Sequence, residues 1–286
     1  MQEWDYIVVQ SYSILPTIQK ARETYLTPSV KSFAAKKKSA KVVMYLTWGY
    51  HDGNTAPCPT SGPAKCFPLG TNANLTEPPC TTSGAYKAKV DSFACMGYAL
   101  GRGYMAQLAE GADRIAPCGL AWQVQDPLSR PLPPPPAPRN WALPGAERLC
   151  SWCAQVARGV ESIPAGCKTA IDAEYPTPSP FTAAVNLSLP LRVDGLPSSL
   201  RGFELYRKLG GGGWDKHPNM AGQYLNALVF YASLLGESPV GAAGPLHTGK
   251  APPLPLPSEI KEALQRVAHS VVLDHAEAWR VTPAQA

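Results

Sequence analysis

Charge is scarce in this chain. Asp, Glu, Lys and Arg make up 16% of the 286 residues against 45% hydrophobic residues, a balance that excludes a wholly disordered protein and leaves material for a substantial core. Long apolar runs are also missing. No stretch approaches the roughly 20 residues of a transmembrane helix, so no membrane span is expected. The first residues lack the basic, then apolar, then small-residue order of a secretory signal. Cys150-Ser151-Trp152-Cys153 is a single Cys-x-x-Cys with no second pair and no matched histidines nearby, which argues against zinc; neither a metal nor a cofactor is expected. The net charge of +5 rests largely on Lys36, Lys37, Lys38 and Lys41, without interleaved aromatics, so no nucleic-acid partner is expected.

Proline and glycine, by contrast, are plentiful, at 31 and 24 residues, and they gather in loops and tails. Eight cysteines are too sparse for a small disulfide scaffold. Cys58, Cys66 and Cys80 fall in a Pro/Gly/Thr-rich stretch, and the sequons Asn74-Leu75-Thr76 and Asn186-Leu187-Ser188 fall in loop-like segments. Both features point to a secretory, oxidising compartment.

The periodicity predicts an α/β domain. Asp5 to Gln10 and Lys41 to Trp48 are short, β-branched apolar runs of the kind that form buried parallel strands, and Asp113 to Pro117 reads as a third. Helical spacing over about 15–36 and 87–110 separates them. Strand, helix, strand, helix, strand is the alternation of a parallel sheet with crossover helices. Residues 51–86 and 123–200 interrupt the pattern as insertions, the second containing Pro133 to Pro136 and a short helix near 145–159. The run Gly210 to Gly213 leads into a loop, Trp214 to Asn219, and then into an apolar helix, Ala221 to Leu235, closed by Gly236. The domain is expected over 1–245, followed over 246–286 by a Pro-rich linker and an amphipathic helix from Ser258 to about Trp279.

His217, on a Gly-rich approach and before a buried helix, suits a catalytic base, and Asp215 stands two residues upstream. A loop histidine without a catalytic task is the plainer reading. His51, His247, His269 and His275 read as loop or surface groups.

Asp5 to Gln10 with Ser13 and Pro16, Val42 to Gly49, Gly97-Tyr98, Ala116 to Gly119 with Ala121-Trp122, Leu205-Tyr206, His217-Pro218-Asn219, Gly222 to Ala227, and Gly236, Ser238-Pro239 and Gly241 occur in an order that resembles the SGNH (GDSL-like) hydrolases. That resemblance implies a flavodoxin-like three-layer sandwich with a parallel sheet. It also implies a metal-free Ser-His-Asp hydrolase of acetyl or other small acyl esters, on carbohydrate or small-molecule carriers. Two departures stand out. The family's Gly-Asp/Asn-Ser block after its first strand is absent, so Asp5 to Gln10 aligns with the second strand and the chain is expected to start after the first, leaving a gap inside the sheet. Its Asp-x-x-His spacing is also one residue short here. Ser11 and Ser13 are the rival nucleophiles if Asp5 to Gln10 is instead the first strand. Gln10, Thr47, Trp48 and Gly49 are oxyanion or pocket candidates by strand-end position, with aromatic packing the plainer role for Trp48. Two other classes remain open: a noncatalytic SGNH-like binding protein, and an interaction protein displaying its Pro-rich segments.

Overall fold

The computed structural model describes residues 3–12, 14–17, 21–50, 93–122, 205–208, 214–242 and 256–284. Both expected insertions, the 145–159 helix, the sequons, Ser13, His51 and His247 lie outside them, as do all cysteines but Cys95 and Cys118.

Three parallel strands form the central sheet: β1 (Tyr6–Val9), β2 (Lys41–Tyr45) and β3 (Arg114–Ala116). The first crossover runs through a π-helical turn, Arg22–Leu26, into α1 (Thr27–Lys36), and the second descends through α2 (Phe93–Met105). Val42, Val43, Met44 and Ile115 are fully buried, as their unbroken apolar character requires of a strand covered on both faces.

Strand order corrects one expectation. If Asp5 to Gln10 were the second strand of a flavodoxin-like sheet, a gap would separate it from Lys41 to Tyr45. Instead β1 pairs with β2 along its whole length, Tyr6 opposite Lys41 through Val9 opposite Met44, and the order is β1-β2-β3. The backbone groups expected to be orphaned are bonded to each other, the outcome favoured wherever strands can close up. The described architecture is therefore a mixed α/β fold with a small three-stranded parallel sheet and several helices.

The helix α4 (Met220–Leu235) matches its sequence signals closely. Asn219 caps it by accepting the Gly222 amide at 3.0 Å, and Gly236 ends it in the left-handed conformation, φ 71°. It packs on the sheet face carrying Tyr6, Tyr45 and Arg114. Tyr6 donates to the Leu234 carbonyl at 2.6 Å, and Arg114 Nη1 donates to the carbonyls of Ser233 and Leu234 at 2.7 and 3.1 Å. A guanidinium on those last carbonyls satisfies groups without helical partners and favours the negative helix end.

Against α4 lies α5 (Ser258–Leu273), whose Ile260, Ala263, Leu264, Val267, Ala268 and Val271 recur at three- and four-residue steps and are all buried. Each large aliphatic side chain buried there is worth about 1.5–3 kcal/mol. The expected single helix to Trp279 is broken: α6 (Ala276–Trp279) is a separate turn, and Trp279 folds back so that its indole donates to the Val271 carbonyl at 2.7 Å.

A second correction concerns residues 214–219. They were expected as a loop, but Trp214–Pro218 is a strand, β5, antiparallel to β4 (Tyr206–Lys208). The cause is pairing with Tyr206–Lys208 across a hairpin, which local polarity in Trp214-Asp215-Lys216-His217 does not announce.

Candidate active site

The parallel strands deliver three segments to one edge of the sheet: Gln10 to Tyr12 after β1, Leu46 to Tyr50 after β2, and Pro117 with the short helix α3 (Cys118–Ala121) after β3. In open α/β sheets this carboxyl edge is where ligands bind. The Leu46 carbonyl accepts the Gly119 amide at 2.9 Å, so β2 stops pairing as a strand and turns outward. Gly119 is required there, because a Cβ would lie 2.1 Å from the Thr47 carbonyl oxygen.

Aromatic rings fill this edge. Trp48 stacks on Trp122 with centroids 4.6 Å apart and planes 8° from parallel, and Tyr206 meets Trp122 edge-on at 4.8 Å. Below them Asn226 of α4 accepts the Trp122 indole N–H at 3.0 Å and donates to the Tyr45 hydroxyl at 3.2 Å. This buried amide thereby satisfies two groups that would each be costly to leave unpaired. Burial first, then the nearby Cys118 and Tyr104, pushes the Tyr45 hydroxyl far above its ordinary range. Cys118 is a free, buried thiol whose pKa is raised well above the ordinary value by burial, the opposite of an activated nucleophile. Cys95 is disulfide-bonded.

The His217 strand is held to the same edge. Trp48 Nε1 donates to the Lys216 carbonyl at 3.0 Å, the Tyr206 hydroxyl donates to the Gly49 carbonyl, and Lys216 Nζ sits 4.6 Å from the centre of the Tyr50 ring. Asn219 N donates to the Leu205 carbonyl at 2.8 Å, closing the hairpin onto the start of α4. His217 is exposed, one residue beyond the Trp48 contact. Asp215 lies on the same strand, and its side chain is outside the described part of the structure.

On the other side, the fully buried Tyr104 hydroxyl accepts the Ser11 amide at 3.2 Å. Burial pushes its pKa up to about 12, so it remains a neutral hydroxyl. The structure thus links Ser11 to Tyr104, and Trp48 to the His217 strand through Lys216. Gln10 is exposed, Ser11 and Trp48 are half-buried, and Thr47 and Gly49 are buried. Trp48 has the aromatic packing role, and its indole N–H is already used. Among the described residues no cluster of three or more His, Cys, Asp or Glu could hold a metal, and no helix is long and apolar enough to cross a membrane.

Sequence reasoning missed Tyr104, Asn226 and Tyr206 as structural members of this site. Asn226 did carry a signal, an amide inside the apolar run Leu225 to Val229; Tyr104 and Tyr206 carried none that distinguishes them from ordinary core aromatics. No family model, no curated protein and no solved structure matches the chain.

Proposed function

We propose that this chain carries the catalytic half of an SGNH-type acyl-ester hydrolase: a flavodoxin-like scaffold with His217 as base and Asp215 as its orienting acid. The nucleophile block Gly-Asp/Asn-Ser is absent from the sequence, so the chain as it stands does not turn over esters through His217. The substrate class is an acetyl or other small acyl ester on a carbohydrate or small-molecule carrier.

The observation that carries this reading is the Trp48 to Lys216 hydrogen bond. It fixes the His217 strand at the carboxyl edge of a parallel sheet, where strand-end groups converge. A general base at that position is worth about 10²–10⁴-fold in rate.

One observation favours the alternative, a noncatalytic SGNH-like binding protein. The Trp48 indole N–H, a donor at this turn, is already engaged in holding the neighbouring strand. That leaves the turn after β2 with fewer groups free to stabilise an oxyanion.

The test is hydrolysis of p-nitrophenyl acetate by the chain and by His217→Ala, together with peptide mapping after treatment with a fluorophosphonate. The expected result is equal turnover and no adduct on Ser11 or Ser13. A His217-dependent adduct on either serine would overturn the reading that the nucleophile is missing.

A further inference from the structure

A second serine and histidine meet elsewhere in the molecule, far from the expected site in sequence. Past the left-handed Gly236, the chain passes through Ser238 and Pro239 to a second left-handed residue, Gly241, and this bend is strapped to α5. Gln265 is the strap. Its Oε1 accepts the Gly241 amide at 3.0 Å, and its Nε2 donates to the Ala242 carbonyl and the Tyr224 hydroxyl, both at 2.9 Å. One turn further along α5, His269 Nδ1 lies 2.8 Å from Ser238 Oγ. His269 Nε2 lies 3.7 Å from Asp274 Oδ1, the residue that ends the helix, and the Ser270 hydroxyl donates to Asp274 Oδ2 at 2.5 Å.

The hydrogen-bond directions decide what this set can do. The Val240 amide donates to Ser238 Oγ at 3.2 Å, so that oxygen already accepts one bond and its own proton is free to point at His269 Nδ1. When Ser238 donates to it, Nδ1 is the unprotonated nitrogen and the imidazole proton is on Nε2, on the side of the Asp274 carboxylate 3.7 Å away. That is the tautomer a general base needs: a lone pair on the serine and an anion behind the ring to stabilise the imidazolium. A merely structural serine at a bend needs only the Val240 contact. Gln265 holds the bend at Gly241 and Ala242, and His269 adds a contact at Ser238 with a carboxylate behind the ring.

We infer that Ser238, His269 and Asp274 form a second nucleophilic site, in which Ser238 accepts acyl groups from small activated esters. Ser238 is exposed, and His269 and Asp274 are 38% and 55% exposed, so access is open and the site suits a small acyl donor at the surface. The step balances without a cofactor. Ser238 Oγ bonds to the carbonyl carbon as its proton passes to His269 Nδ1. The carbon to alkoxy or aryloxy bond then breaks, and the leaving alcohol departs with the proton from His269. Water follows the same route in reverse to release the acid.

The test is peptide mapping of the full chain after timed exposure to p-nitrophenyl acetate or a fluorophosphonate, with adducts on the Ser238 peptide scored separately from any on Ser11 or Ser13. Acylation of Ser238 is expected, abolished in Ser238→Ala and slowed about 10²-fold or more in His269→Gln. Asp274→Asn is expected to slow it by a smaller factor, because the separation from Nε2 exceeds a hydrogen bond. Circular dichroism and denaturation midpoints keep the comparison to folded protein, and His269→Asn serves if His269→Gln fails to fold. No adduct on Ser238, or labelling at an unchanged rate without His269, would overturn the inference. Because the readout is the Ser238 peptide, failure here leaves the His217 reading standing, and the reverse holds equally.

Discussion

Replacing Gly222 with alanine sets two known effects against each other, and the structure decides between them. In a helix, Gly→Ala ordinarily stabilises by up to about 1 kcal/mol, because glycine carries the larger entropic cost. Gly222 is in the first turn of α4, so propensity alone predicts a tougher protein. A Cβ there, however, would lie 2.6 Å from the Leu205 carbonyl oxygen, 2.7 Å from Trp122 Cζ2 and 2.9 Å from Pro218 Cβ. Two of these neighbours belong to the hairpin that carries His217, and the third to the ring stacked on Trp48. None is the free end of a flexible chain, and overpacking of this kind costs about 1–3 kcal/mol. The net expectation for Gly222→Ala is a loss of about 0.5–2 kcal/mol, read as a lower midpoint in urea denaturation at unchanged slope. The near-ultraviolet circular dichroism of the Trp48 and Trp122 pair should weaken at the same time. A gain of about 1 kcal/mol with an unaltered aromatic spectrum would refute the packing of the His217 hairpin against α4.

Two further perturbations follow from the same contacts. Asn226→Ala strands the Trp122 indole N–H and the Tyr45 hydroxyl without their shared partner, at about 1–3 kcal/mol for each unpaired buried group; a denaturation loss under 0.5 kcal/mol would show that water replaces the amide. Asp113 accepts the Val42 amide at 2.7 Å and is paired with Lys37. Burial alone would raise its pKa, but the Lys37 and Val42 bonds outweigh that and hold it below the ordinary 3.8. A depressed folded pKa means the stabilisation is complete above about pH 4 and is lost as pH falls through the folded value. Asp113→Asn should therefore cost about 0.5–1 kcal/mol at pH 7, for a partly exposed pair. The gap to wild type should close below pH 3.8, and a gap that persists there would contradict the assignment.

The parallel strands were legible because β-branched apolar runs have few other uses, and α4 because Asn219 and Gly236 mark both of its ends. The extent of β2 was not legible. Leu46, Thr47 and Trp48 look like strand residues, and only the capture of the Leu46 carbonyl by Gly119 turns them away. β5 was hidden for a related reason: its partner, Tyr206–Lys208, is what makes Trp214–Pro218 extended, and a charged stretch ending in proline has no intrinsic pattern of its own. Sheet order was equally out of reach, since helices between strands imply parallel pairing without saying which strand lies beside which. His217, Trp48 and the strand-end turn were put forward from position alone. The hydrogen bonds that support this edge, through Asn226 and the Tyr104 hydroxyl, join residues 93 to 181 positions apart. His269 was read as an ordinary surface group, since nothing in local sequence ties it to Ser238 across 31 residues.

On the proposed reading His217 is a base held at the sheet edge and the nucleophile block alone is wanting. Ser11→Gly combined with Tyr12→Asp writes a Gly-Asp-Ser order ending on residue 13, with the amide of residue 11 held by the Tyr104 hydroxyl. The decisive measurement is p-nitrophenyl acetate hydrolysis by this double variant, with and without His217→Ala. The expected rate is about 10²-fold or more above that of the unaltered chain, returning to its level when His217 is removed. A double variant with the circular dichroism of the unaltered chain that hydrolyses no faster, or whose gain survives loss of His217, would contradict the proposed reading.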